Sequence, residues 1–371
     1  MQAANCTEIT MQKASAGSSS AGISETYSQE QNEKNTLKMR EILDELPRFC
    51  RQFFRGIADT TGSRTRLAYA YDLRVFFEYL HEHNPELAKT EISHFQITIL
   101  DQIQKEDIEE FMEWTSYYKK DGKIYTNDER GKARKLSAIR SMYHYFFQSE
   151  LIEKDVAALI PMPKLHEKPI IRLEPNEVAK LLDQVEDGSG LTKSERKYHS
   201  KTAVRDTALL TLLLGTGIRV SECVGLDLND LNFEENGIKV RRKGGYDAIV
   251  YFGDEVAAAL QTYLEKRQQI IAKEGSENAL FLSLQNRRIT VRAVELLVKK
   301  YASRVTTLKK ITPHKLRSTY GTSLYRETGD IYLVADVLGH KDVNTTRKHY
   351  AALEEDRRRG AANIVHLRED E

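Results

Sequence analysis

Four short segments carry residue types suited to handling a phosphodiester. The first is Gly215-Thr216-Gly217-Ile218-Arg219-Val220-Ser221-Glu222, which follows an apolar run at 209–214. Two glycines end one helix and Arg219 opens the next. There its planar fork can meet a phosphate, and helix N-terminal N–H groups add donors for an anion. Glu222, one turn on, can buttress the guanidinium. The second segment, Arg241-Arg242-Lys243-Gly244-Gly245, sets a lysine at a hairpin tip, from which it can reach into a groove and donate a proton. The third is Thr312-Pro313-His314-Lys315-Leu316-Arg317. Thr312 suits a helix cap and Pro313 its first turn, so His314 and Arg317 lie three apart on one face, able to donate to the same phosphate. The fourth runs from Leu338-Gly339-His340 to Tyr350, a hydroxyl nucleophile after a basic, threonine-rich stretch. Taken singly, each has an ordinary reading: a helix break with a surface ion pair, a solvated turn, a solvated helix start, and one packing tyrosine among 18.

Residues 1–36 are rich in Ser, Ala, Gly, Gln and Thr without hydrophobic periodicity, which predicts a disordered leader. From Leu37 the pattern turns helical. Leu37, Met39, Ile42, Leu43, Leu46 and Phe49 fall at helical spacing, and a second helix starts near Ser63 with Leu73, Phe76, Phe77 and Leu80 on its apolar face. A third is expected over 103–118 and a fourth over 133–150, the latter with Leu136, Ile139, Met142, Tyr143 and Phe146 inward. No strand-like alternation stands out, so 37–162 reads as a small all-helical domain. Three of the seven prolines fall within 161–173, which marks 163–173 as an extended linker. A second domain, 174–371, opens on a helix at Glu174-Pro175 and has another over 201–214. Alternating runs on either side of Lys243-Gly244-Gly245 predict a hairpin, and helical patterns return from Asp254. The expected fold is mainly α with a small β-hairpin or sheet: an all-helical N-terminal domain and a mixed α/β, mostly helical C-terminal one.

Bulk composition excludes more than it assigns. The 56 Lys and Arg against 55 Asp and Glu leave a net charge of +1, so any nucleic-acid role must rest on local basic patches. Cys6, Cys50 and Cys223 are sparse and unpatterned, which indicates neither a disulfide framework nor a zinc site and fits a reducing cytoplasm. No apolar run approaches a bilayer span, and the N-terminus lacks the layout of a secretory signal, so a cytoplasmic protein without membrane contact is expected.

In order, the segments read Arg, Lys, His-x-x-Arg, Gly-His, Tyr. This ordered set resembles the tyrosine recombinase or phage integrase family, including Xer-type recombinases. "TGIRVSE", "PHKLR" and the "LGH…Y" ending match its signature boxes, over about 170–355. The resemblance implies that Arg219 and Arg317 are the catalytic arginines, Lys243 the hairpin lysine, His314 and His340 the active-site histidines, Tyr350 the nucleophile and Glu222 a supporting acid. Ser318 departs from many relatives, which carry another histidine there. The resemblance also implies a core-DNA-binding role for 37–162 and a catalytic role for 174–371, with the two domains clamping a duplex.

The chemistry expected of such a set follows from its groups. Two arginines and a histidine stabilise the charge that builds on the non-bridging oxygens. Tyr350 attacks in line to form a phosphotyrosyl link, which in this family is to the 3′ phosphate. Lys243 protonates the departing 5′ oxygen, while His314 or a neighbouring group takes the tyrosine proton. Bond energy is kept in the link. No ATP, cofactor or metal is expected, and no Walker A loop, HExxH or paired carboxylate cluster is found. Arg134, Lys135 and Arg140 in the first domain, with Arg241, Arg242, Arg288 and Arg292 in the second, are candidate DNA contacts. The expected partners are double-stranded DNA with specific recombination sites and three further copies of the chain, as a homotetramer on two sites, with an accessory directionality or host protein possible. The tail with Ile364, Val365 and Leu367 suits docking on a neighbouring subunit. Rival readings are a type IB topoisomerase-like enzyme, a non-catalytic DNA-binding accessory protein and a telomere-resolving relative.

Overall fold

The structure, a computed structural model, describes residues 27–120, 122–166, 170–242, 245–340 and 343. The chain divides into two compact units, residues 1–165 and 166–371.

The first unit carries α1 (Tyr27–Leu43), α2 (Cys50–Gly56), α3 (Ser63–His83), the single turn α4 (Ile99–Gln102), α5 (Lys105–Trp114) and α6 (Glu129–Gln148). Its core is the meeting of the predicted stripes. Leu73, Phe76 and Phe77 of α3 share one core with Leu136, Ile139, Met142, Tyr143 and Phe146 of α6 and with Phe53 and Phe54 of α2. Aromatic rings pack edge to face here, Phe49 against Phe146 at 5.5 Å and Phe76 against Phe111 at 5.1 Å, the arrangement ring quadrupoles favour.

Two expectations fail in this unit. The disordered-leader reading runs too far: 27–36 is helical, and α1 begins ten residues before Leu37. The cause is a tertiary anchor in a polar segment. Ser63 Oγ donates to Asn32 Oδ1 at 2.7 Å, and Asn35 Nδ2 donates back to Ser63 Oγ at 3.1 Å. Nor is the unit all helical. Helix α5 stops at Trp114, and β1 (Tyr117–Lys120) pairs antiparallel with β2 (Lys123–Thr126). Only Tyr118 of this ribbon is buried, stacked on Trp114 at 4.4 Å and on its cross-strand partner Tyr125 at 5.1 Å. A ribbon held by one aromatic column leaves no apolar–polar alternation to read.

The second unit carries α7 (Pro175–Asp187), α8 (Lys193–Thr216), α9 (Val220–Gly225), β3 (Leu231–Asn232), β4 (Gly237–Arg241), β5 (Asp247–Tyr251), α10 (Asp254–Arg267), α11 (Val291–Val305), α12 (Pro313–Thr328) and α13 (Ile331–Leu338). The expected hairpin is the β4–β5 pair, joined by β3 in an antiparallel sheet of order β3-β4-β5. Helix α8 runs through the middle, its 208–213 segment buried against α7, α10 and α12. It starts eight residues earlier than the apolar pattern indicates, because Thr192 and Glu195 form a capping box. Glu195 N–H donates to Thr192 Oγ1, and Thr192 N–H to Glu195 Oε2 at 2.9 Å. Arg304 of α11 binds the same carboxylate at 2.7 Å.

Candidate active site

The first and third signature segments meet where α8 ends. Gly217 takes the left-handed conformation, φ 63°, which stops α8 and turns the chain. A Cβ there would lie 2.4 Å from the Tyr320 ring of α12, so the close approach also requires glycine. The Gly217 carbonyl accepts from Arg317 Nη1 at 2.7 Å. Arg317 is only 4% exposed, one turn into α12. Thr312 stands at the N-cap of that helix and Pro313 in its first turn, as expected. The Thr312 hydroxyl makes no capping bond, however, and its carbonyl alone accepts, from the N–H groups of Lys315 and Leu316.

Arg219 is the N-cap of α9. Its N–H donates to Glu222 Oε2 at 2.8 Å, and its Nη1 to Glu222 Oε1 at 2.7 Å. The carboxylate is buried, yet the Arg219 side chain keeps 30% of its surface exposed. The buttress read from three-residue spacing therefore exists, and it fixes the fork at both ends: Nη2 donates to Gly339 O at 3.2 Å. Behind Glu222, burial and the neighbouring carboxylate push the Cys223 thiol up, which keeps it neutral.

The fourth segment supplies what the arginines hold. Helix α13 ends in a Schellman turn. His340 N–H donates to Ala335 O and Gly339 N–H to Asp336 O, each at 2.8 Å, with Gly339 at φ 62°. The last carbonyls of a helix have no partner within it and carry the negative end of its dipole. Here guanidinium groups satisfy them. Gly339 O accepts from Arg219, Leu338 O from Arg317 and from Arg242 at 3.3 Å, and Val337 O from Arg242 at 2.9 Å. Arg219, Arg317, Glu222 and the Gly339–His340 turn are thus brought together. His314 lies exposed in the first turn of α12, three residues before Arg317. Lys243 and Tyr350 lie outside the described residues, as does the tail with Ile364, Val365 and Leu367. Among the described residues, no three His, Cys, Asp or Glu side chains group to hold a metal ion.

The candidate DNA contacts divide. Arg241 is exposed at the end of β4, Arg292 is exposed and paired with Glu295 at 3.1 Å, and Arg140 is half-buried. Arg134 is exposed but is tied to the buried Asp72. Three expectations are corrected. Lys135 is 5% exposed and points inward, its ammonium 3.3 Å from Asp72 and 3.2 Å from Asn127 Oδ1. Arg288 braces the chain after α9, bonding Asp227 and donating to Val224 O and Leu226 O at 3.1 and 2.9 Å. Arg242 is 5% exposed, inside the network just described. Lys135 and Arg242 are buried cations paired inside the protein, as buried charges generally must be, and the half-buried Arg288 is likewise held by internal acceptors.

Both buried cations nearest the predicted stripes had a sequence signal. Lys135 continues the 135–139–142–146 face of α6, and Arg242 follows Ile238 and Val240 on the inward face of β4. Asp72 on α3 had none, since its partners lie more than sixty residues away.

Comparison with known proteins finds similar sequences and folds. The family model described as "Phage integrase family" matches residues 172–357. The chain is 31% identical over 299 residues to tyrosine recombinase XerD of Oceanobacillus iheyensis, which spans 79% of this chain and 88% of that relative. It is 29% identical over 289 residues to tyrosine recombinase XerC of Leptospira interrogans, spanning 78% and 83%. Its fold is similar to a crystal structure of XerH site-specific recombinase bound to a palindromic difH substrate in a post-cleavage complex, with a TM-score of 0.63 at 22% identity over 89% of each chain. Among the described residues, no helix is long and apolar enough to cross a membrane.

Proposed function

Because the chain belongs to the phage integrase family of tyrosine recombinases, we propose that it cuts and rejoins duplex DNA at specific sites through a covalent link between Tyr350 and a 3′ phosphate. The observation that carries this reading is the fixing of Arg219 and Arg317 against the end of α13, Arg219 on Gly339 O and Arg317 on Leu338 O, with Glu222 bracing the first. Donors held rigid before the reaction stabilise developing negative charge without reorganising, and phosphoryl transfer asks little more of a protein than that.

In the proposed reaction the Tyr350 oxygen bonds to phosphorus as the bond to the 5′ oxygen breaks. Arg219 and His340 donate to the non-bridging oxygens, and Arg317 stabilises the charge building there from its buried place behind Gly217 O and Leu338 O. The leaving oxygen takes a proton from Lys243, and the tyrosine proton passes to His314 or a neighbouring group. The reverse attack by a 5′ hydroxyl from the partner strand restores the backbone and frees Tyr350. Unit 1 grips the DNA core site, and four copies assemble on two sites. The DNA-bound XerH structure is similar in fold and is consistent with duplex DNA as the partner.

The test uses nicked duplexes drawn from the DNA flanking the gene, resolved on a denaturing gel. The expected result is a protein–DNA adduct that Tyr350→Phe abolishes while DNA binding persists. DNA bound without any adduct, on nicks that trap the intermediate, would overturn the covalent reading.

A further inference from the structure

Strand β4 alternates inward Ile238 and Val240 with outward Lys239 and Arg241, so the next inward position is Arg242. An arginine on the core side of a strand end needs acceptors, and this one has three. Nη2 donates to Val337 O at 2.9 Å, and Nη1 to Leu338 O and to Glu222 Oε2, both at 3.3 Å. Gly339 packs close to the guanidinium: a Cβ on it would meet Arg242 Cζ and Nε at 3.0 Å. The backbone of the same residue closes the hairpin loop. Arg242 N–H donates to Tyr246 O at 2.8 Å, and Arg242 O accepts from Gly245 N–H at 3.0 Å. The base of the β4–β5 loop is therefore tied to the carboxylate that braces Arg219 and to the Leu338 carbonyl that Arg317 also holds.

We propose that Arg242 is a positioning residue for strand cleavage: it clamps the base of the loop in which Lys243 is the next residue onto Glu222 and the end of α13, and so sets the lysine that protonates the leaving 5′ oxygen. The inference rests on the recombinase reading above. Arg242 touches neither DNA nor the reacting atoms in this scheme. Its guanidinium gives two anchors of fixed angle, which a lysine's single ammonium does not. A general acid must sit within hydrogen-bond reach of the departing oxygen, so a small displacement of the loop base is felt as lost proton transfer.

A substrate whose leaving atom needs no proton separates this role from a merely structural one. Cleavage rates are measured on nicked duplexes with either oxygen or sulfur at the bridging 5′ position of the scissile phosphate, since a thiolate departs unprotonated. Lys243→Ala is expected to lose about 10²–10³-fold on the oxygen substrate and to recover on sulfur. Arg242→Met is expected to lose roughly 30–100-fold on oxygen and to return to within about threefold of wild type on sulfur. Arg242→Lys falls between, and carries the same comparison if Arg242→Met does not fold. Equal slowing of the Arg242 variants on both substrates, or wild-type rates on oxygen, would overturn the positioning role while Lys243→Ala still recovers. Failure of Lys243→Ala to recover on sulfur removes the lysine's role as acid, and the proposal falls with it. Absence of any adduct with the wild-type protein on either substrate would instead sink the recombinase reading.

Discussion

Asp72 shows how a single buried charge organises its surroundings. It is 2% exposed, and it accepts from Lys135 and Arg134 on the facing helix α6. Burial pushes its carboxyl up, while the two cations oppose the shift. Removing one partner of such a pair leaves the other charged and desolvated, which costs more than the pair itself contributes. Asp72→Ala is therefore expected to destabilise the protein by about 3–5 kcal/mol in urea unfolding, and the Asp72→Leu/Lys135→Met double variant to recover most of that loss. An unchanged Asp72→Ala midpoint would mean that Lys135 turns out to solvent, as the sequence first suggested. The same logic separates the two signature arginines. Arg219 and Arg317 sit in motifs whose spacing was readable, but the carbonyls of Gly339 and Gly217 that they bond lie 120 and 100 residues away and could not be read at all.

At the scale of elements, the site is an arrangement of helix ends. The end of α8, the start of α9 and the end of α13 meet with the first turns of α12. Gly217 joins two of them, with a positive φ and no room for a methyl group. Gly217→Ala is expected to cost about 2–4 kcal/mol by thermal unfolding, from left-handed backbone strain plus overpacking on Tyr320. It should also slow adduct formation, because the Gly217 carbonyl holds Arg317. An alanine variant with wild-type Tm would show that this turn relaxes freely. The start of α8 gives a pH prediction. Bonds from the Thr192 backbone and hydroxyl, and then the Arg304 guanidinium, lower Glu195 from 4.5 to about 2. A depressed carboxyl contributes stability above its unfolded pKa and loses it as pH falls through the folded one. Wild type should therefore exceed Glu195→Gln in stability at neutral pH, and the two should converge between pH 4.5 and about 2. Parallel curves across that window would remove the carboxylate from the account of α8.

For the whole molecule, near-neutral net charge places DNA affinity in local patches rather than in an overall field. Burial narrows the patch. Arg241 and Arg292 face solvent, whereas Lys135 and Arg242 are buried and the half-buried Arg288 is tied to Asp227. Each phosphate contact contributes about one to the slope of log affinity against log salt. Arg241→Ala is expected to reduce that slope by about one in anisotropy titrations over a salt series, with stability unchanged. Arg288→Ala is expected to lower Tm and leave the slope alone. The opposite pattern for the pair would reverse the division drawn from burial.

The ordered motifs, the stripes of the long helices and the β4–β5 hairpin were legible because chemistry and periodicity are local properties. Arg219-x-x-Glu222 and His314-x-x-Arg317 each lie within one helical turn, and a stripe such as 136–139–142–146 reports its own burial. Sequence by itself thus determined the helical character and the expected reactive groups. Only the tertiary structure decided what the inward cations of α6 and β4 bond to. The acceptors that hold Lys135, Arg242 and Arg288 belong to other elements, and a side chain's charge does not say whether a distant carboxylate or helix end awaits it. The same holds for the helix at 27–36 and the ribbon at 117–126, each held by a few long-range contacts rather than by a pattern of its own.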